Sequence, residues 1–221
     1  MQEGFMQVCF VSRGGLRAFA DAYVGEKPPK LFVFGFADNG EVSYEKELKG
    51  ETGFFETAAR FSKRVQSVVV CGCITETLGH RRKSVLVAEN GKLLGVSDML
   101  HAVDGELSAG ATARVYSTKA GRMGVIVDED LLFPDIAQAL GVCGCDFIVC
   151  PFGQVDGVQG VLLRAEAYLY GAPILFCADG YCAVANVKGE MEFASPISPM
   201  QTEFNWKKEY HLVETRRRGR V

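Results

Sequence analysis

Gly121–Asp135 reads GRMGVIVDEDLLFPD. Met123–Val127 is an apolar run with the length of a buried strand. Asp128–Asp130 is an acidic turn. Pro134 falls in the first turn of the helix that follows, where a missing N–H costs nothing. A strand that turns sharply into a helix is a place where α/β enzymes hold a nucleophile. This turn offers carboxylates and neither Cys nor Ser, and the functional question follows from that.

Strands and helices alternate outward from this turn. Phe5–Val11 and Lys30–Phe36 are predicted strands, and Leu16–Tyr23 is a short helix closed by Gly25 and Pro28–Pro29. Thr52 is the expected N-cap of a helix running to Val65. Phe54, Phe55, Ala58, Ala59 and Phe61 fall near one face of that helix and are read as core. Ser67–Cys73 is a further strand, and Lys83–Ala88 and Lys92–Val96 flank the hairpin signal Glu89-Asn90-Gly91. His80-Arg81-Arg82-Lys83 reads as a solvated turn.

Ala113–Thr118 and Arg122–Val127 form another strand pair. Leu132–Leu140 is a helix, Asp146–Cys150 a strand, and Val158–Tyr170 a helix ended by Gly171. Pro173–Cys177 and Cys182–Asn186 are strands, followed by a hairpin turn over 187–190. Hairpins mixed with helices do not fit a purely parallel sheet; they suit two packed mixed sheets flanked by helices. The expected organisation is one domain over 1–221, with a basic, solvated tail at 216–221.

The 221 residues suffice for one substantial core, and 48% hydrophobic with 23% charged residues is a globular composition. A formal net charge of −3 argues against a nucleic-acid partner. No apolar run nears the roughly 20 residues that span a bilayer. Met1–Gly4 carries no basic residue ahead of the short run Phe5–Val11, so no signal peptide and a cytoplasmic location are expected. The eight cysteines sit mostly in apolar runs and read as buried thiols. Cys71-x-Cys73 and Cys143-x-Cys145 lack zinc-site spacing. Neither dinucleotide nor P-loop glycine pattern occurs, so nucleotide binding has no motif support; with the cysteine spacing wrong for zinc, no metal and no cofactor are expected.

Taken together, the motifs resemble those of the carbon–nitrogen hydrolase (nitrilase) superfamily. Gly121–Val127 followed by Asp130-Leu131-Leu132-Phe133-Pro134-Asp135 resembles its "GRiGv.iCyDlrFPE" signature. Asn90-Gly91-Lys92-Leu93-Leu94-Gly95 is similar to "dG.llg", and His101 through Gly105-Glu106 to "hl…gE". Gly144–Pro151 is similar to "GadlilvPs", and Arg164-Ala165 to "RArA". The resemblance implies an α-β-β-α sandwich, commonly a homodimer paired through its helical layer. It also implies Glu-Lys-Cys chemistry supported by a second Glu. Carried over residue by residue, the base position is Phe36, the lysine position Met99 and the nucleophile position Asp128; Glu106 matches the second Glu.

Each replacement is costly for that chemistry. Losing a positioned acid/base group costs about 10²–10⁴ in rate, and losing one oxyanion donor about 10²–10³. The expectation is therefore a nitrilase-fold protein without hydrolase activity that binds a small molecule or a protein partner. Phe36, Met99, Glu106, Asp128, Glu129 and Phe152 are its candidate pocket residues, and Glu106 and Asp128 are expected to share a proton. The alternative is a divergent amide or nitrile hydrolase with a relocated nucleophile. Cys150, before Pro151, is the first candidate and Cys177 the second, with His80 and His101 as possible bases. A cation site of Glu106, Asp128, Glu129 and Asp130 has no supporting ligand spacing; Asp130 is expected to cap the helix start, with Glu129 in solvent.

Overall fold

The computed structural model of the chain describes residues 4–102 and 105–206. Period-two alternation explains its central layers. In β1 (Gly4–Val11), Met6, Val8 and Phe10 face one core while Cys9 and Val11 face another. The split recurs in β4 (Val68–Thr77) and β5 (His80–Glu89): Val68, Val70, Val85 and Val87 point one way, Val69, Cys71, Leu86 and Ala88 the other. Strands buried on both faces read as continuous apolar runs, as these do.

β1 pairs in parallel with β2 (Leu31–Phe34), which pairs in parallel with β4. β5 and β6 (Lys92–Asp98) continue antiparallel. β3 (Glu41–Ser43) joins β4, and β13 (Met200–Trp206) joins β1 antiparallel, completing a seven-stranded mixed sheet. The second sheet has six strands. Its parallel centre is β8 (Gly121–Val125), β9 (Phe147–Pro151) and β10 (Ile174–Ala178). β7 (Val115–Thr118), β11 (Tyr181–Ala185) and β12 (Met191–Ser195) extend it antiparallel.

The sheets face one another across a core that includes Phe10, Val33, Val87, Met123, Phe147 and Leu175. The outer face of the first sheet is covered by α1 (Leu16–Ala22) and α3 (Phe54–Val65), and that of the second by α4 (Pro134–Val142) and α5 (Gln159–Tyr170). Phe61 of α3 stacks edge-on with Phe32 at 5.1 Å, and burying such a side chain contributes about 1.5–3 kcal/mol. The expected architecture, two mixed sheets flanked by helices, is the one observed.

Three local expectations are corrected. Thr52 does not cap α3; Glu47, on the short helix α2 (Tyr44–Leu48), accepts hydrogen bonds from the backbone N–H groups of Phe54 and Phe55 at 2.8 and 3.0 Å. His80-Arg81-Arg82-Lys83 is not a turn but the first part of β5. The turn is Leu78-Gly79, both at positive φ, joining the paired Thr77 and His80. Asp130 does not cap α4, whose start has no side-chain cap. The tail at 216–221 lies outside the described residues. No helix among the described residues is long and apolar enough to cross a membrane.

The C-terminal ends of the parallel strands from both sheets meet along one rim. Gly180, in the turn after β10, donates its N–H to the carbonyl of Ser12, just after β1, at 2.8 Å. Gly35, just after β2, is pressed so closely on β10 that a Cβ there would lie 3.2 Å from the Cys177 carbonyl oxygen. Such a rim is where open α/β sheets place ligands.

Candidate active site

The acidic turn stands on this rim. β8 ends at Val125, and Asp128 begins a 3-10 turn, Asp128–Leu132, that leads into α4. Asp128 has φ +51°, a left-handed conformation that Asp tolerates better than most side chains but still at a cost of about 1–2 kcal/mol. The turn between β8 and α4 is thus a strained strand-to-helix elbow with a carboxylate at its first position.

The Asp128 side chain is buried, and both its oxygens are engaged. Oδ1 accepts the backbone N–H of Gly153, just beyond β9, at 2.8 Å. Oδ2 forms an ion pair with Nζ of Lys83. Lys83 is reached by simple parity: it shares the inner face of β5 with Val85 and Val87, at the end where β5 enters from the rim. A quarter of its side chain remains exposed.

A Cβ at position 153 would sit in ordinary contact with this carboxylate, 3.5 Å from Asp128 Oδ1.

Met99, at the lysine position of the resemblance, is fully buried in the inter-sheet core. Its N–H bonds to the Lys83 carbonyl at 2.8 Å, so Met99 and Lys83 are direct cross-strand neighbours. Phe36 follows the end of β2 half-buried, packed against the inter-sheet core. Glu106 is exposed, and the geometry pairs Asp128 with Lys83 and Gly153 instead of a second carboxylate. Phe152 faces the helical layer, 5.2 Å from the Phe176 ring, away from the rim core. Glu129 is half-buried.

Asp130 serves a different end. Its buried carboxylate accepts the backbone N–H groups of Leu100 and His101 at 2.9–3.0 Å, and His101 Nδ1 lies 3.0 Å away. His101 also stacks on Phe133 at 3.8 Å. Burial outweighs these bonds and raises the Asp130 pKa. Asp130 thus ties the segment after β6 to the elbow. His80 is exposed, 3.1 Å from the Ser108 hydroxyl. Among the described residues no three His, Cys, Asp or Glu side chains are grouped to hold a metal.

The relocated thiols do not fit the role expected of them. Cys150 is fully buried and faces the α4–α5 layer with Ile148 and Phe176. Burial pushes its thiol well above the usual range, and the nearby Asp128, Glu166 and Asp130 carboxyls push the same way. Cys177 faces the inter-sheet core, also fully buried, with its thiol raised for the same first reason. Cys145 precedes β9, beside the Arg122 end of β8, at the opposite end of the sheet from the elbow. Lys83 is the residue that sequence reading missed; its even spacing from Val85 and Val87 was the available signal.

No protein-family model matches the sequence. One curated relative, a probable nitrilase of Schizosaccharomyces pombe, is 23% identical over 128 residues, 55% of this chain. The match spans about half, 47%, of that relative's length. Among solved structures, an amidase from Nesterenkonia sp. superposes with TM-score 0.75 at 15% identity, over 97% of this chain and 96% of its own. Saccharomyces cerevisiae Nit3, of branch 10 of the nitrilase superfamily, gives 0.70 at 16% identity, over 98% and 94%. A single-substitution mutant of the Nesterenkonia amidase has also been solved with the acetamide moiety of fluoroacetamide added covalently at its active-site cysteine.

These findings correct the expectation of a binding protein without hydrolase activity. The structures that match along nearly the whole chain include an amidase, and the sequence relative is a probable nitrilase; both favour the alternative, a divergent hydrolase. The chain has the α-β-β-α sandwich fold of the nitrilase superfamily.

Proposed function

We propose that the chain is a divergent carbon–nitrogen hydrolase of the nitrilase superfamily, acting on non-peptide amide or nitrile bonds of small molecules, with its catalytic groups relocated. The observation that carries this reading is the retained elbow. Asp128 keeps a left-handed conformation at the strand end, and the Lys83 ammonium stands against it. Strain of this kind persists where the surroundings over-determine it, and it clusters at active sites. The pair supplies one proton acceptor and one fixed positive charge, the two elements that amide cleavage requires. A panel of small amides, nitriles and carbamoyl compounds tests the reading. Turnover of at least one class, abolished by Asp128→Ala, is the expected result; inertness across the panel contradicts it.

We further propose that the chain forms a homodimer through its α4–α5 layer, where Val142, Val158, Val161 and Leu169 lie exposed. Light scattering coupled to size-exclusion chromatography is expected to give twice the chain mass, and Val161→Glu to return the monomer.

A further inference from the structure

Granting the hydrolase reading, on which this inference rests, we infer that amide cleavage proceeds by direct attack of water, with Asp128 as general base and Lys83 as electrostatic catalyst, and without an acyl-enzyme.

The surroundings of Asp128 argue for this role. Oδ1 already accepts the Gly153 N–H, and Oδ2 is held by the Lys83 ammonium. Both interactions fix the carboxylate's orientation and weaken it as nucleophile and base alike, so the two roles are separated by their products. Acyl transfer to it would form a mixed anhydride, a better acyl donor than the amide that made it. A carboxylate accepts about four hydrogen bonds, so a lone pair remains for a water proton. The two described cysteines nearest to filling a nucleophile's role, Cys150 and Cys177, are buried with thiols held protonated.

The step balances as follows. The water oxygen forms a bond to the carbonyl carbon while its proton passes to Asp128. The C=O π pair moves onto oxygen, and the Lys83 ammonium beside Asp128 stabilises the oxyanion. The oxyanion pair then re-forms C=O as the C–N bond breaks, and the leaving nitrogen takes the proton back from Asp128. Amide and water become carboxylate and ammonium, with Asp128 and Lys83 restored. No oxidant, reductant or second substrate is needed.

Hydroxylamine distinguishes the mechanisms. An acyl-enzyme partitions between water and hydroxylamine after the C–N bond has broken, so hydroxamate forms while amide consumption stays constant. The full chain is assayed with a short aliphatic primary amide, with and without hydroxylamine, following ammonia, carboxylate and hydroxamate. The expected result is equal release of ammonia and carboxylate, with no hydroxamate formed at constant amide consumption. Asp128→Asn and Lys83→Met each lower kcat by about 10²-fold or more. Because Lys83→Met alone leaves a buried carboxylate unpaired, the double variant Lys83→Met/Asp128→Asn provides a folded, inactive reference. Hydroxamate at constant amide consumption overturns the water mechanism and leaves the hydrolase reading standing. No turnover by the unaltered chain overturns both.

Discussion

Asp128, at the rim between the sheets, and Glu166, on the inner side of α5, are both buried carboxylates. Their surroundings differ in one respect. Asp128 has the Lys83 ammonium and the Gly153 N–H against its two oxygens. Glu166 has Asp135 of α4 as its charged neighbour, and its Oε2 finds no hydrogen-bond partner among the described residues. Burial first, and Asp135 second, push the Glu166 carboxyl up to about 8, so it stays protonated at neutral pH. The difference teaches that burial beside a second carboxyl leaves Glu166 holding its proton, whereas Asp128 is set against a cation and a backbone N–H that fix its position.

The largest expected effect breaks the comparison from the Glu166 side. A carboxyl whose folded pKa lies near 8 against an ordinary 4.5 binds its proton more tightly in the native state. Its contribution is fully present below about pH 4.5 and is lost as pH rises through about 8, worth up to about 4 kcal/mol. Asp135, Tyr170 and Cys150 are the other titratable groups packed around it. Urea denaturation between pH 5 and 9 should show this decline, and Glu166→Gln should flatten it. An unchanged slope in the variant would show that another group carries the dependence.

The next effect comes from the Asp128 side. Lys83→Met strands a buried carboxylate and should destabilise by about 2–4 kcal/mol; the partial exposure of Lys83 places this below the cost for a wholly buried pair. The melting temperature should fall by about 4–16 °C. Adding Asp128→Asn should recover most of that loss, because the double variant buries no unpaired charge. If the losses simply add, the two groups are not coupled.

A smaller effect sharpens the geometry. Gly153→Ala places a methyl in ordinary contact with Asp128 Oδ1. It should cost less than about 1 kcal/mol in stability, read as an unchanged or slightly lowered melting temperature. Cys150→Ala should leave kcat within twofold, since that thiol faces the α4–α5 layer. A large loss of kcat with retained stability would restore the thiol as a catalytic candidate.

The fold was legible because alternation and turn chemistry point the same way through most of the chain. Asn90 and Gly91, both at positive φ, mark the β5–β6 hairpin, and Gly171 ends α5 in the left-handed conformation. What escaped reading had weak local signals. The β4–β5 turn uses Leu78, a residue without turn preference, so the charged stretch behind it looked like the loop. β13 pairs with β1 across nearly the whole chain length, which no local pattern reveals. The turn from β8 into α4 was legible from Phe133-Pro134. The pairing of Asp128 with Lys83 was not, because no local pattern joins the start of β5 to the residues after β8.

Ammonia release from short aliphatic amides, measured for the unaltered chain beside Asp128→Asn, tests the central claim most directly. Asparagine still offers an oxygen to the Gly153 N–H but cannot take a proton from water. The account predicts steady turnover by the unaltered chain and a loss of about 10²-fold or more in the variant, with the fold retained by circular dichroism. Equal ammonia release by both proteins, or none from either, would contradict it.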